Sequence, residues 1–199
     1  MFRWRIGTDT VGADYGWFID DPRIYTCDAV GPDTTIISGA KAFTKDRTPT
    51  FAFTAAEAGS TFRCSVDGSS PVACTSPYTV AALADGTHTF AVAAADKGGN
   101  ADASPATRTF TVDKKKPKTF MARRPAPRKA KENTAYFRFV SNEKGVTFKC
   151  KLDKGKYKSC KPKSSFTVKP GQHVLRVKAI DRAGNQDRTP AERKWRLKR

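Results

Sequence analysis

The chain has 199 residues, a pI of about 10.0 and a formal net charge of +18, from 37 Lys/Arg against 19 Asp/Glu. That length holds one or two domains, and no apolar run approaches the ~20 residues of a membrane-spanning helix. The five cysteines never gather more than two to a segment, too few for a closed zinc site, no histidine stands at finger spacing, and no phosphate-binding glycine loop or nucleophile–base pattern stands in the sequence.

Residues 1–31 form a leader unlike the rest of the chain. Phe2, Trp4 and Ile6 alternate with Arg3 and Arg5, the pattern of a half-buried strand. A loop rich in Gly, Asp and Thr follows, then the aromatic stretch GWFIDDPRIY over 16–25. Two strands make no stable sheet alone, so the leader, which reads as the end of a domain, needs partners absent from the sequence or must pack against the first module. MFRWRI over 1–6 is too short and too polar for a signal peptide, so either the cysteines stay reduced or Met1 is not the true start of a secreted chain. Asp9, Asp14, Asp20 and Asp21 offer the oxygen atoms a structural Ca²⁺ takes, with ordinary surface carboxylates as the alternative.

The stretch Arg3–Tyr25 resembles the closing strands of the jelly-roll-like accessory domain of immune-inhibitor-A-type secreted metallopeptidases. Gly16, Trp17, Phe18, Ile19, Asp20, Asp21, Arg23, Ile24 and Tyr25 carry the resemblance. It implies a domain remnant and an upstream domain, not a protease, since no HExxH motif is present.

Residues 32–113 are the first of two similar modules. The sequence TFRCSVDGSSPVAC over 61–74 returns as TFKCKLDKGKYKSC over 147–160, and Phe51, Cys64 and Cys74 recur 86 positions later. His88, Asp96, Asn100 and Pro105 recur 85 positions later, so the second copy is one residue shorter. The matched spacing marks Cys64/Cys74 and Cys150/Cys160 as disulfides, bonds that persist outside reducing compartments, with four free thiols in a cytosolic protein as the alternative. Cys27 has no counterpart. About seven short strands separated by turn residues, with Ala42–Pro49 as a polar connection, predict an immunoglobulin-like β-sandwich. Asp96 and Asn100, like Asp181 and Asn185, frame tight loops as structural groups. His88 and His173 open equivalent strands and are read as structural.

This module resembles the bacterial Ig-like repeats found in series in actinobacterial secreted proteins. The residues that carry the resemblance are Pro32–Ile36, Thr50–Phe53, Thr61–Cys64, Cys74–Tyr78, Leu83–Asp96, Gly99–Asn100 and Val112–Asp113. The resemblance implies spacer or adhesion modules without catalysis.

A basic linker over 114–131, which includes a candidate first strand near Pro117–Phe120, leads to the second module over 132–199. Residues 1–113 carry 9 Lys/Arg and 13 Asp/Glu, a net of −4, whereas residues 114–199 carry 28 and 6, a net of +22. The apolar alternation survives while the outward positions become cationic: Lys149 and Lys151 flank Cys150, and Arg176 and Lys178 alternate with core residues. The candidate polyanion-binding cluster comprises Lys114, Lys115, Lys116, Lys118, Arg123, Arg124, Arg128, Lys129 and Lys131, then Lys144, Lys149, Lys151, Lys154, Lys156, Lys158, Lys161 and Lys163. Lysine dominates the hairpin, which suits diffuse attraction to polyanions more than bidentate recognition; a merely soluble basic face is the alternative.

The sequence therefore predicts an all-β, non-enzymatic, extracellular array: two tandem Ig-like sandwiches behind a β remnant. The basic second module attaches to an anionic cell-envelope polymer. Two other roles stand beside this one: a passive spacer or targeting region of a secreted metallopeptidase, and nonspecific nucleic-acid or other polyanion binding.

Overall fold

The computed structural model describes residues 30–122 and 133–197, and every regular element in them is a strand. The first module holds β1 (Thr34–Ser38), β2 (Phe43–Thr44), β3 (Thr50–Ala55), β4 (Thr61–Val66), β5 (Val72–Cys74), β6 (Tyr78–Thr79), β7 (Gly86–Ala95) and β8 (Ala106–Val112). The second holds β9 (Thr119–Met121), β10 (Thr134–Ser141), β11 (Thr147–Leu152), β12 (Lys158–Cys160), β13 (Lys163–Thr167), β14 (Gly171–Ile180) and β15 (Ala191–Leu197). They form four sheets, ordered β1-β3-β6 and β2-β8-β7-β4-β5 in the first module, and β13-β10-β9 and β12-β11-β14-β15 in the second. The architecture is a tandem of Ig-like β-sandwiches.

The stretch read as a polar connection contains a strand. Phe43 and Thr44 run parallel to Thr111 and Val112 of β8, and Asp113 N–H donates to the Thr44 carbonyl. The edge of β8 would otherwise leave backbone groups unpaired. Two residues are too few for alternation to show in sequence.

The repeat is preserved at the level of register. Phe62, Cys64 and Val66 on β4 face Ala94, Val92 and Phe90 on β7, as Phe148, Cys150 and Leu152 on β11 face Ala179, Val177 and Leu175 on β14. One face of each strand is buried: Cys64, Phe90 and Val92 in the first core, Cys150, Leu175 and Val177 in the second. The centre of the first core is a stack of rings, Phe51 on Phe90 at 4.2 Å between centroids, with Phe110 at 5.6 Å. In the second, Phe137 keeps the place of Phe51 but meets Leu175 and Trp195 where the first has Phe90 and Phe110. A smaller side chain on β14 is matched by a larger one on β15, so the volume is redistributed rather than lost.

Buried polar groups tie the two sheets of each module together. Asp102 accepts from Thr34 N–H at 2.9 Å, and the Thr34 hydroxyl accepts from Ala94 N–H at 2.8 Å. Asp187, Thr119 and Ala179 repeat this at 2.7 Å for both bonds. β9 is thereby anchored in the second module, where Phe120 and Met121 also pair with Val140 and Phe139.

Both disulfides are present, Cys64–Cys74 joining β4 to β5 and Cys150–Cys160 joining β11 to β12. Each closes a loop of 10 residues, a constraint on the unfolded chain that contributes about 2–3 kcal/mol. The turn after β4 begins at Asp67 (φ 54°) and Gly68 (φ 72°), the left-handed conformations a tight hairpin demands. Among the described residues no helix is long and apolar enough to cross a membrane.

Candidate polyanion-binding surface

The outward positions of β11, β14 and β15 carry the cations. Side chains alternate across a strand, so once Cys150, Leu175 and Val177 point inward, Lys149, Lys151, Arg176 and Lys178 point to water. Register sets Lys149 opposite Lys178 and Lys151 opposite Arg176. Glu192 on β15 meets Arg176 Nε at 2.7 Å and Lys194 Nζ at 3.5 Å. Tyr157, from the β11–β12 turn, lies with its ring centroid 4.6 Å from Lys178 Nζ and 6.0 Å from Lys151 Nζ. Lys178 Nζ also donates to Gln186 at 2.8 Å.

The first module provides an internal comparison. The pairs equivalent to Lys149/Lys178 and Lys151/Arg176 are Arg63/Ala93 and Ser65/Ala91. Thr107, Thr109 and Thr111 replace Glu192, Lys194 and Arg196, and Thr89–Thr109 and Thr87–Thr111 hydroxyl pairs line the same face at 3.1 and 3.3 Å. Arg63 is the cation the first module keeps at these four positions, so the fold does not require the other three.

The lysines singled out in the sequence divide among distinct places. Lys149 and Lys151 lie on the sheet face. Lys154 and Lys156 sit in the β11–β12 turn and Lys158 on β12, all exposed. Lys161 and Lys163 follow, where the chain crosses to the other sheet and begins β13. Lys114, Lys115, Lys116 and Lys118 lie exposed between β8 and β9, and Lys144 in the turn before β11. Arg123, Arg124, Arg128, Lys129 and Lys131 lie outside the described residues, as do Cys27 and the candidate Ca²⁺ ligands Asp9, Asp14, Asp20 and Asp21. Tyr157 was not singled out, because its place between two lysines depends on how the turn folds back over the sheet.

A separate acidic group lies where the two modules meet. Carboxylate oxygens of Asp113, Glu143 and Asp181 lie within 4.8 Å of one another, and among the described residues these hard donors are the set that could hold a cation. Asp181 is also clamped by Asn185, whose N–H and Nδ2 both donate to it at 2.8 Å, while Nδ2 reaches the Asp113 carbonyl at 2.7 Å. Asp96 and Asn100 repeat the clamp at 2.8 Å. Burial raises the Glu143 pKa, the charges of Asp113 and Asp181 raise it further, and Lys115 works the other way.

Residues 24–114 match the family model described as a bacterial Ig-like domain. The chain contains a bacterial Ig-like domain. The match begins within the leader and ends with the first module; the second module repeats that module's sheet pairing without falling inside it. Among solved structures, the fibronectin(III)-like modules of Clostridium thermocellum CbhA are similar at 16% identity with a TM-score of 0.51, over 83% of this chain and 94% of that one. A two-domain fibronectin type III segment of chicken tenascin is similar at 12% identity and a TM-score of 0.31, over 83% and 99%. A tetra-tandem repeat of the extending region of a large adhesion protein is similar at 16% and 0.35, over 85% and 50%. The first of these bears out the fold alone. No curated protein matches the sequence. Nothing among these similarities supports a metallopeptidase accessory domain ahead of the Ig-like domain, and residues 1–29 lie outside the described structure. The Ig-like array is a non-catalytic architecture.

Proposed function

We propose that the chain is an extracellular Ig-like array whose second module attaches to an anionic polymer of the cell envelope through the outer face of β11, β14 and β15. The observation that carries this reading is the cross-strand pairing of Lys149 with Lys178 and of Lys151 with Arg176. Like charges directly opposite each other destabilise a sheet, and the first module folds in the same register with Arg63/Ala93 and Ser65/Ala91. Glu192 offsets part of this repulsion through Arg176; the excess positive charge, which the fold does not need, is explained by a partner of the opposite sign. The two disulfides support an oxidising compartment for the array.

The test is binding of the full chain to isolated anionic wall polymer and to polyphosphate over a range of salt. Lys151→Ser, Arg176→Ala and Lys178→Ala together give the first module's residues at these positions. The variant should bind both polymers at least about tenfold more weakly, a loss of about 1.4 kcal/mol, with a shallower salt dependence. Wild-type binding unaffected by the triple substitution would put the contact off this face, and no binding at all would favour the passive spacer.

A further inference from the structure

The opposite sheet of the second module has also been re-coated, and with a different chemistry. On the outer face of β13-β10-β9, Phe120, Tyr136 and Val140 are 43%, 50% and 40% exposed. Val140 stands opposite Phe120, Arg138 opposite Lys163, and Tyr136 opposite Ser165. Lys118 Nζ lies 5.8 Å from the centre of the Phe120 ring. The result is a strip in which apolar and cationic side chains alternate along β10, with Tyr136 and Val140 about 13–14 Å apart at strand rise.

At the equivalent positions the first module carries threonines and an alanine, and its exposed apolar side chain on β1, Ile37, stands apart from them at a register shift. Thr54 stands opposite Thr35 and Thr50 opposite Thr79, whose hydroxyls meet at 2.8 Å, and Ala52 takes the place of Arg138. The scaffold therefore folds with threonine at every position where the second module displays a large apolar side chain. Water-exposed apolar groups gathered on one face mark an interaction surface.

We propose that this face binds an acidic polysaccharide. The flat C–H faces of its sugar rings lie on Tyr136 and Phe120, and its carboxylates meet Arg138, Lys163 and Lys118. A ligand suited to this strip must offer apolar faces and negative charges in alternation, which a chain of acidic sugars does. A polyphosphate supplies the charge without the faces. A second copy docking by two-fold symmetry would set the Arg138/Lys163 pair of one protomer against its own equivalents. The crossing from β12 to β13, with Lys158, Lys161 and Lys163 exposed along it, carries positive charge from the lysine-rich sheet to this one. The proposal rests on the reading that the second module holds an anionic polymer, and names the chemical class of that polymer.

The experiment compares the full chain with its Phe120→Thr, Tyr136→Thr, Val140→Thr variant, which keeps every charge. The probes are polygalacturonate, polyphosphate and a single-stranded oligonucleotide, with binding measured by calorimetry and self-association by sedimentation. The variant should lose at least about tenfold in affinity for polygalacturonate and none for polyphosphate. Tyr136→Leu, which removes a ring but keeps an apolar side chain, should also weaken polygalacturonate binding. Unchanged polygalacturonate affinity in both variants overturns the proposal. So does a larger loss on the oligonucleotide, which would mark a base-stacking surface, or a loss of self-association alone, which would mark a second copy. Wild type that binds polyphosphate but not polygalacturonate sinks this inference and leaves the envelope-polymer reading standing; wild type that binds neither sinks both.

Discussion

His173 Nδ1 stands 2.8 Å from Asp153 Oδ2, and its other ring nitrogen faces the Lys169 carbonyl at 2.8 Å. The first module repeats the arrangement with His88, Asp67 and the Ala84 carbonyl at 2.7 and 2.9 Å. A neutral imidazole has one N–H and can satisfy one of two acceptors; the imidazolium satisfies both. The Asp153 hydrogen bond and then the Lys169 carbonyl accordingly raise the His173 pKa above 6.5, against burial. Burial works to raise the Asp153 pKa, but hydrogen bonds from His173 and Val174 N–H outweigh it and hold the carboxyl below 3.8.

The sign of the pH dependence follows. The histidine's contribution to stability is fully present below 6.5 and is lost as pH rises through its folded value. The aspartate's is present above 3.8 and is lost as pH falls through its folded value. His173→Gln should therefore lower the melting temperature most at about pH 5 and less at about pH 8. An equal loss at both would mean that the ring acts by packing on Trp195, 5.4 Å away between centroids, and not by charge.

The redistributed core makes a second prediction. Leu175→Phe should overpack the second module and destabilise it by about 1–3 kcal/mol. Combined with Trp195→Phe it recreates the Phe51–Phe90–Phe110 arrangement, so the double variant should recover to within about 1.5 kcal/mol of wild type. Trp195→Phe also removes an indole N–H that is buried without a hydrogen-bond partner. A double-mutant cycle in chemical denaturation measures the coupling, and strict additivity of the two changes would contradict it.

Glu143 gives a third. Its Oε1 is buried without a hydrogen-bond partner and faces the charges of Asp113 and Asp181. A carboxyl whose folded pKa is raised loses its stabilising protonated form as pH climbs. Glu143→Gln should therefore be neutral at about pH 4 and raise the melting temperature at about pH 7. A lower melting temperature at the higher pH would mean that the ionised carboxylate is needed at this junction.

The two modules, their disulfides and the inward faces of their long strands were legible because each rests on a local signal that occurs twice. Cys64 and Cys74 share a spacing with Cys150 and Cys160, and alternation over ten-residue strands leaves little doubt about which side is buried. β2 escaped because two residues show no period. The partners of His88 and His173 escaped because Asp67 and Asp153 are 21 and 20 positions away and read as turn residues. The lysines were visible, but their division between two sheets was not. Charge density along a chain records how many cations there are, whereas strand order decides which of them share a face. The aromatic strip was hidden for the same reason: Phe120 and Val140 become neighbours only when β9 pairs with β10.

The one-to-one register between β4–β7 and β11–β14 has a consequence for how such chains diversify. Recombination between the two halves at matching positions, such as the codons for Cys64 and Cys150, would yield a hybrid with both sulfurs, the same alternation of inward and outward positions and no frameshift in strand pairing. Only the coat would change hands. A gene built this way can exchange one surface for another in a single genetic event, while Leu175 and Trp195 travel together and keep their compensating volumes on the same side of the joint.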